Sequence, residues 1–191
     1  MAEKLCIDLC SGLGGFSEAF TRDSEWEVVR IDILKKFKPT IQADVRFIPL
    51  CENLQPDVLL ASPPCQHFSL ACPQFPRKGV KTALEIVGAC FEAVATLKPK
   101  RWLIENPRGR LRLIIGKSAQ CIYYSDYDKK FPRPKRTDLW GNIMLPMPKG
   151  IRRPRPGHIK TGWWRPTFGN DQAKSAEVPL GISEAVLEAV K

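Results

Sequence analysis

This chain has no CxxC pair, no cluster of histidines and no long apolar run. Its two histidines, His67 and His158, lie far apart, and its seven cysteines (Cys6, Cys10, Cys51, Cys65, Cys72, Cys90, Cys121) are odd in number and scattered. That pattern argues against a zinc site and against a disulfide framework, and it predicts a reducing compartment. No apolar stretch approaches the ~18 residues needed to cross a bilayer. The opening MAEKLCIDLC shows no basic segment leading into an apolar one, so no signal peptide is expected. These absences lead us to expect a cytoplasmic protein with neither metal nor membrane as partner.

What is present fits one globular domain: 191 residues, 43% hydrophobic and 26% charged, long enough to bury a sizeable core. The net charge of +10 favours an anionic partner, with nucleic acid the leading class. The excess is concentrated. Between Lys129 and Lys160 stand Lys130, Arg133, Lys135, Arg136, Lys149, Arg152, Arg153 and Arg155, against the single acid Asp138.

Periodicity places the elements. KLCIDL (4–9), WEVVRID (26–32), DVLLA (57–61) and RWLIEN (101–106) read as strands, with a short strand before ADV (43–45) and another candidate at QCIYYS (120–125). FSEAFTR has helical spacing, TALEIVGACFEAVATL (82–97) reads as a buried helix, and PLGISEAVLEAV (179–190) as an amphipathic one. The stretch 129–175, rich in proline, glycine and basic residues, is expected to form loops. Strands alternating with helices predict an α/β fold: an open, mainly parallel Rossmann-like sheet with helices on both faces. In such sheets ligands bind at the carboxyl ends of strands, where Asp8, Asp32, Asp44, Cys65 and Glu105 all fall.

The turn SGLGG (11–15) after the first strand, with Asp32 20 residues beyond Gly12, resembles a nucleotide-binding turn whose acid holds a ribose diol. Ser17 stands where the dinucleotide version needs a third glycine, which disfavours NAD and leaves room for an adenosyl ligand without pyrophosphate. Taken alone, a plain strand-turn-helix connection would serve equally well. In ASPPCQHFS (61–69), the prolines stiffen the backbone around Cys65. Cys6 and Cys90, inside apolar runs, read as structural. A thiolate is a strong carbon nucleophile, and at a strand-to-loop junction backbone N–H groups or nearby arginines can lower its pKa. Glu105, ending an apolar strand in WLIENP, is expected to have a raised pKa, which suits a group that donates a proton.

DLCSGLGGF, DVLLASPPCQHFS and WLIENPRG, in this order, resemble the signature blocks of the DNA cytosine-C5 methyltransferase family over roughly residues 4–110. The resemblance implies S-adenosyl-L-methionine as cofactor, DNA as substrate and base flipping as the route to the target. Cys65 would attack C6 of cytosine and Glu105 would bond N3. Cofactor contacts would come from Leu13, Gly14, Gly15 and Phe16. Asp32 would take the ribose with Ile33 beside it, and Asp44 the adenine amino group with Val45 against the ring. Pro63 would add a backbone contact and Ile86 a packing contact. Gln66 would lie on the nucleic acid, with Arg133 and Arg136 near the base. A prokaryotic cell or a virus-infected host cell is the implied setting.

The chain departs from the family pattern at Cys10, where an aromatic is usual, at His67 after the glutamine, and at Pro107 after Glu105-Asn106. It also leaves only Ile143 to Glu177 for the target-recognition domain that family members insert. We therefore expect a catalytic region at 1–128, a basic nucleic-acid-contact region at 129–178 and a returning C-terminal helix at 179–191. Arg152 and Arg153 with Trp163 and Trp164 would give backbone contacts and base stacking, hence relaxed specificity reading roughly one to three bases. The same chemistry on tRNA, a catalytically idle binding module, and a half-enzyme completed by a partner are the alternatives.

Overall fold

The computed structural model describes residues 3–70, 76, 78–129, 135–148 and 177–191. Its strands are β1 (Lys4–Leu9), β2 (Trp26–Asp32), β3 (Ile41–Gln42), β4 (Val58–Ala61), β5 (Arg101–Pro107), β6 (Gln120–Tyr123) and β7 (Arg136–Gly141). Its α-helices are α1 (Glu18–Arg22), α2 (Val80–Leu97), α3 (Leu111–Ile114), α4 (Tyr124–Tyr127) and α5 (Leu180–Val190). The strands form one sheet in the order β3-β2-β1-β4-β5-β7-β6, and every pairing is parallel except the two made by β7. Strand order reverses direction between β1 and β4, so a crevice opens beyond their carboxyl ends.

The unbroken apolar run of β4 is explained by burial on both faces. Val58 and Leu60 enter one hydrophobic cluster with Leu103, Phe20, Tyr124, Ile182 and Val186, which places α1, α4 and α5 on that side. Leu59 and Ala61 enter the other with Ile104, Leu111 and the buried stripe Ala83, Val87, Cys90, Ala93 and Leu97 of α2. Cys6 and Cys90 are fully buried within these clusters.

The structure corrects one expectation. Residues 136–141, inside the stretch read as loops, form β7, a strand inserted between β5 and β6. The sequence hides it because Thr137 and Asp138 are polar yet fully buried. Their partners are tertiary: Thr137 donates to Glu105, and Asp138 accepts from Ser118 at 3.0 Å with Arg112 at 3.7 Å.

Helix α5 returns to brace the glycine turn. Helix α1 has no side-chain cap of its own, and Ser183 supplies one from α5. Its Oγ accepts from the Ala19 N–H at 2.9 Å and donates to the Phe16 carbonyl at 2.8 Å, fully buried. Ser183→Ala leaves both backbone groups unpaired away from water, a cost of about 1–3 kcal/mol. For a chain of this size thermal denaturation should show the midpoint falling by about 2–4 °C for each kcal/mol lost; an unchanged midpoint would show the bond idle.

Candidate active site

The register of β4 on β5 sets the site. Ala61 pairs with Ile104, so the ASPPC turn leaves β4 beside the residue that follows, Glu105. The turn is then docked onto the exit of β5. Asn106 Nδ2 donates to the Pro63 carbonyl at 2.9 Å in the buried interior. The Arg110 N–H and guanidinium donate to the carbonyls of Phe68 and Ser69, both at 2.8 Å. Phe68 is fully buried, and the Phe68 N–H closes a tight turn onto the Cys65 carbonyl at 3.0 Å. Gly109 has its backbone so close to the Phe68 carbonyl that a Cβ there would collide with it. Three residues around Cys65 (Pro63, Phe68 and Ser69) are thus fixed by residues just after Glu105.

Glu105 is 3% exposed. Its Oε1 accepts from the Tyr124 hydroxyl at 2.6 Å and from Thr137 Oγ1 at 3.3 Å. Burial raises its pKa above the ordinary carboxylate range, while the Lys135 charge and these two bonds pull it back. Cys65 is half-buried. Burial raises its pKa as well, the Lys135 ammonium lowers it, and the Glu105 charge raises it. The thiol lowered by backbone N–H groups or arginines that the sequence suggested is corrected in its net direction: a backbone hydrogen bond does lower it, but desolvation outweighs that bond and the cation, and the cation is a lysine. Glu105 and Lys135 both reach Cys65 electrostatically, so the thiol and the carboxyl share one environment.

The glycine turn lies at the carboxyl end of β1. Cys10, Gly12 and Gly14 all have positive φ (54°, 53° and 83°), a conformation that strains the one non-glycine among them. Gly15 leaves no room for a Cβ because the Val178 carbonyl presses on it. Around the turn lies a cavity of about 80 Å³ that includes Ser11, Leu13, Gly15, Phe16, Ser62 and Glu177 in its lining. The Ser11 and Ser62 hydroxyls are buried without a hydrogen-bond partner among the described residues. Spare buried hydroxyls around a void fit a polar ligand, and the volume suits one end of it.

The two acids predicted for a cofactor are already engaged. Asp32 accepts from the Gly12 and Leu34 N–H groups, one on each oxygen, both at 2.8 Å. Each oxygen keeps a further lone pair, so a ribose hydroxyl can still donate to it. Asp44 grips Arg46 through Nη2 at 2.6 Å and Nε at 3.1 Å, and this holds its carboxyl below the usual range. An adenine amino group would share that carboxylate with Arg46. Val45 is buried, Ile33 and Leu13 are exposed, and Ile86 packs half-buried on the α2 side. Behind the turn, Asp8 is fully buried; Ser17 donates to its Oδ2 at 2.6 Å, and its Oδ1 has no partner. Burial raises its pKa to about 7.

Of the residues assigned to nucleic acid, Gln66 is exposed on the cysteine turn. Arg136 is exposed at the start of β7, its guanidinium against Cys121 Sγ at 3.2 Å and over the Tyr123 ring. Arg133, Arg152, Arg153, Trp163 and Trp164 lie outside the described residues. His67 sits over Gly79 at the start of α2, its Nδ1 buried and unpartnered. The sequence reading missed Tyr124, Thr137 and Lys135 as neighbours of Glu105, and no local pattern marks them; it also missed Glu177 and Val178 at the glycine turn. Among the described residues no group of three His, Cys, Asp or Glu side chains could hold a metal, and no helix is long and apolar enough to cross a membrane.

Residues 5–122 match the profile of the C-5 cytosine-specific DNA methylases. The probable DNA (cytosine-5)-methyltransferase of Frog virus 3 is 30% identical over 162 residues, covering 75% of this chain and 72% of the viral protein. The type II methyltransferase M.AplI of Arthrospira platensis is 27% identical over 118 residues, covering 58% of this chain and 33% of its own length. Among solved structures, an E. coli prophage protein assigned as a DNA modification methyltransferase superposes with a TM-score of 0.55 at 20% identity. That match covers 78% of this chain and 52% of the other, and it is a likeness of fold.

Two titrations test this electrostatic picture. Alkylation of Cys65, followed by peptide mass spectrometry, should have its half-point above that of an ordinary thiol. Lys135→Gln should move the half-point higher and Glu105→Gln lower, since the first removes an attractive charge and the second a repulsive one. For Asp8, the folded chain binds its proton more tightly than the unfolded one, so stability is greatest at low pH and falls as pH climbs from about 4 to about 7. Asp8→Asn should flatten that decline in denaturant titrations; Glu105 has the same sign and keeps the slope from vanishing.

Proposed function

Because the chain belongs to the C-5 cytosine-specific DNA methylase family, we propose that it transfers a methyl group from S-adenosyl-L-methionine to C5 of cytosine in DNA through a covalent Cys65–C6 adduct. The observation that carries this reading is a thiol and a buried carboxyl with a raised pKa in one electrostatic environment at adjacent strand ends. A cytosine stacked in a duplex is out of reach of such a site, so the base would be flipped out to meet it.

Cytosine C5 is a poor nucleophile until C6 carries an electron-releasing substituent. Cys65, as thiolate, forms the S–C6 bond. The C5=C6 electron pair shifts into the ring as Glu105 gives its proton to N3. C5 is then electron-rich and would form the new bond to the methyl carbon as the S–CH3 bond of the donor breaks, its electron pair staying on the sulfur, which leaves as a neutral thioether. Loss of the C5 proton to a base restores C5=C6 and expels Cys65, and N3 returns its proton to Glu105. The raised direction of the Glu105 pKa suits this role, because a proton donor works better the more tightly burial makes it hold its proton. The raised pKa of Cys65 means that only a minor fraction of the thiol is ionised near neutral pH, and Lys135 enlarges it.

The bound donor supplies an electrophilic methyl on a sulfonium. The residues present fit it: Ser11 and Ser62 offer unpartnered hydroxyls beside the cavity, Leu13 and Phe16 offer apolar surface, and Asp32 keeps lone pairs for a ribose. The basic stretch from Lys129 to Lys160 would supply contacts to the phosphate backbone.

Duplex DNA containing 5-fluorocytosine should trap the protein covalently in the presence of the methyl donor, because fluorine at C5 cannot leave as a proton does. The adduct should vanish in Cys65→Ala. Glu105→Gln should slow methylation of ordinary duplex DNA by about 100-fold or more. Label entering tRNA in preference to DNA would move the substrate to RNA, and label entering no polymer would refute the enzyme reading.

A further inference from the structure

The acid that meets the base is held by two groups outside the motifs. Tyr124 opens α4 and is fully buried; its hydroxyl donates to Glu105 Oε1 at 2.6 Å. Thr137, fully buried in β7, donates to the same oxygen at 3.3 Å. Among the described residues no hydrogen bond falls on Oε2. Both donors belong to one rigid unit, since the Tyr124 N–H bonds the Lys135 carbonyl at 3.0 Å and β7 pairs with β5 and β6.

We propose that Tyr124 and Thr137 form a clamp that makes Oε1 of Glu105 a permanent acceptor and leaves its proton on Oε2, the oxygen free to meet N3 of the base. This rests on the reading of Glu105 as the N3 acid. Tyr124 is then a positioning residue: it acts through Glu105 and does not touch the substrate. A neutral carboxyl has one hydroxyl oxygen and one carbonyl oxygen, and the oxygen that already accepts two hydrogen bonds is the less basic of the two. Turning the carboxyl over would break both bonds in a buried place, so the proton cannot exchange sides freely.

The clamp is made of neutral donors. A guanidinium in their place would favour the ionised carboxyl strongly, whereas two hydroxyls fix its orientation while burial still raises its pKa. Among the described residues, the charged and titratable groups facing Glu105 are Lys135 at the entry to β7, Tyr124 from α4 and Cys65 from the turn after β4. The Lys135 ammonium lies 4.4 Å from the centre of the Tyr124 ring, so the aromatic body also seats the cation that acts on both reacting groups.

The test compares wild type, Tyr124→Phe, Thr137→Val and Thr137→Ser in single-turnover methylation of duplex DNA from about pH 6 to about pH 10, alongside infrared difference spectra. Tyr124→Phe should slow turnover by about 10- to 100-fold with methyl-donor affinity unchanged. Its alkaline limb should move to higher pH, since the lost bond was lowering the Glu105 pKa and the acid works protonated. Thr137→Val should do the same more weakly, and Thr137→Ser should restore wild-type behaviour. The carbonyl stretch of neutral Glu105, identified by its absence in Glu105→Gln, should rise in frequency in Tyr124→Phe. A slowed Tyr124→Phe whose limb and carbonyl stretch stay put would overturn the clamp, as would unchanged turnover. If Tyr124→Phe fails to fold, Thr137→Val carries the same readings. If wild type methylates no DNA, the functional reading fails, and the infrared shift still decides the clamp by itself.

Discussion

The bond from Asn106 Nδ2 to the Pro63 carbonyl is the interaction on which the rest of the site depends. Two parallel strands of one sheet end side by side whatever their sequence, but their exit loops are free to diverge. Here the loop after β4 is tied to the loop after β5 at both ends of the cysteine turn, through Pro63 on one side and through Phe68 and Ser69 on the other. The prolines around Cys65 remove backbone freedom, and the bonds from β5 set where the stiffened turn points. Cys65 and Glu105, on separate segments, thereby become one unit with a fixed separation, which the proposed two-point attack on a flat ring would require.

Burial then sets their chemistry. Both groups titrate above their ordinary ranges because the charged form of each is desolvated, and Lys135 opposes this in both. For the carboxyl, the raised direction favours the proton-donor role proposed for it. For the thiol it is a cost that the lysine partly offsets. The glycine turn shows the same economy of means: Asp32 spends both oxygens on backbone amides of the turn and the following loop, and Ser183 reaches across from α5 to cap α1 and hold Phe16. The acid that looks like a ligand contact is first of all what gives the turn its shape.

Much of this was legible beforehand, for identifiable reasons. β4 lies within its apolar run because a strand buried on both faces carries an uninterrupted signal. Cys65 and Glu105 were visible because prolines, a strand end and a turn-forming asparagine mark them locally. β7 was not visible: two of its six residues are buried polar groups whose partners are 20 and 32 positions away, and no window along the chain contains such a pair. For the same reason the direction of the Cys65 shift was misjudged, since proximity of arginines in sequence says nothing about desolvation in space.

The sequence by itself determined the doubly wound sheet and the residues that carry reactive atoms, because periodicity and motif spacing are properties of the chain. Only the tertiary structure decided which groups hold those atoms. Tyr124 and Thr137 come to one oxygen of Glu105 because β7 runs antiparallel between β5 and β6. Hydrogen-bond partners and burial arise from that pairing, and pairing is fixed by the energy of the whole sheet.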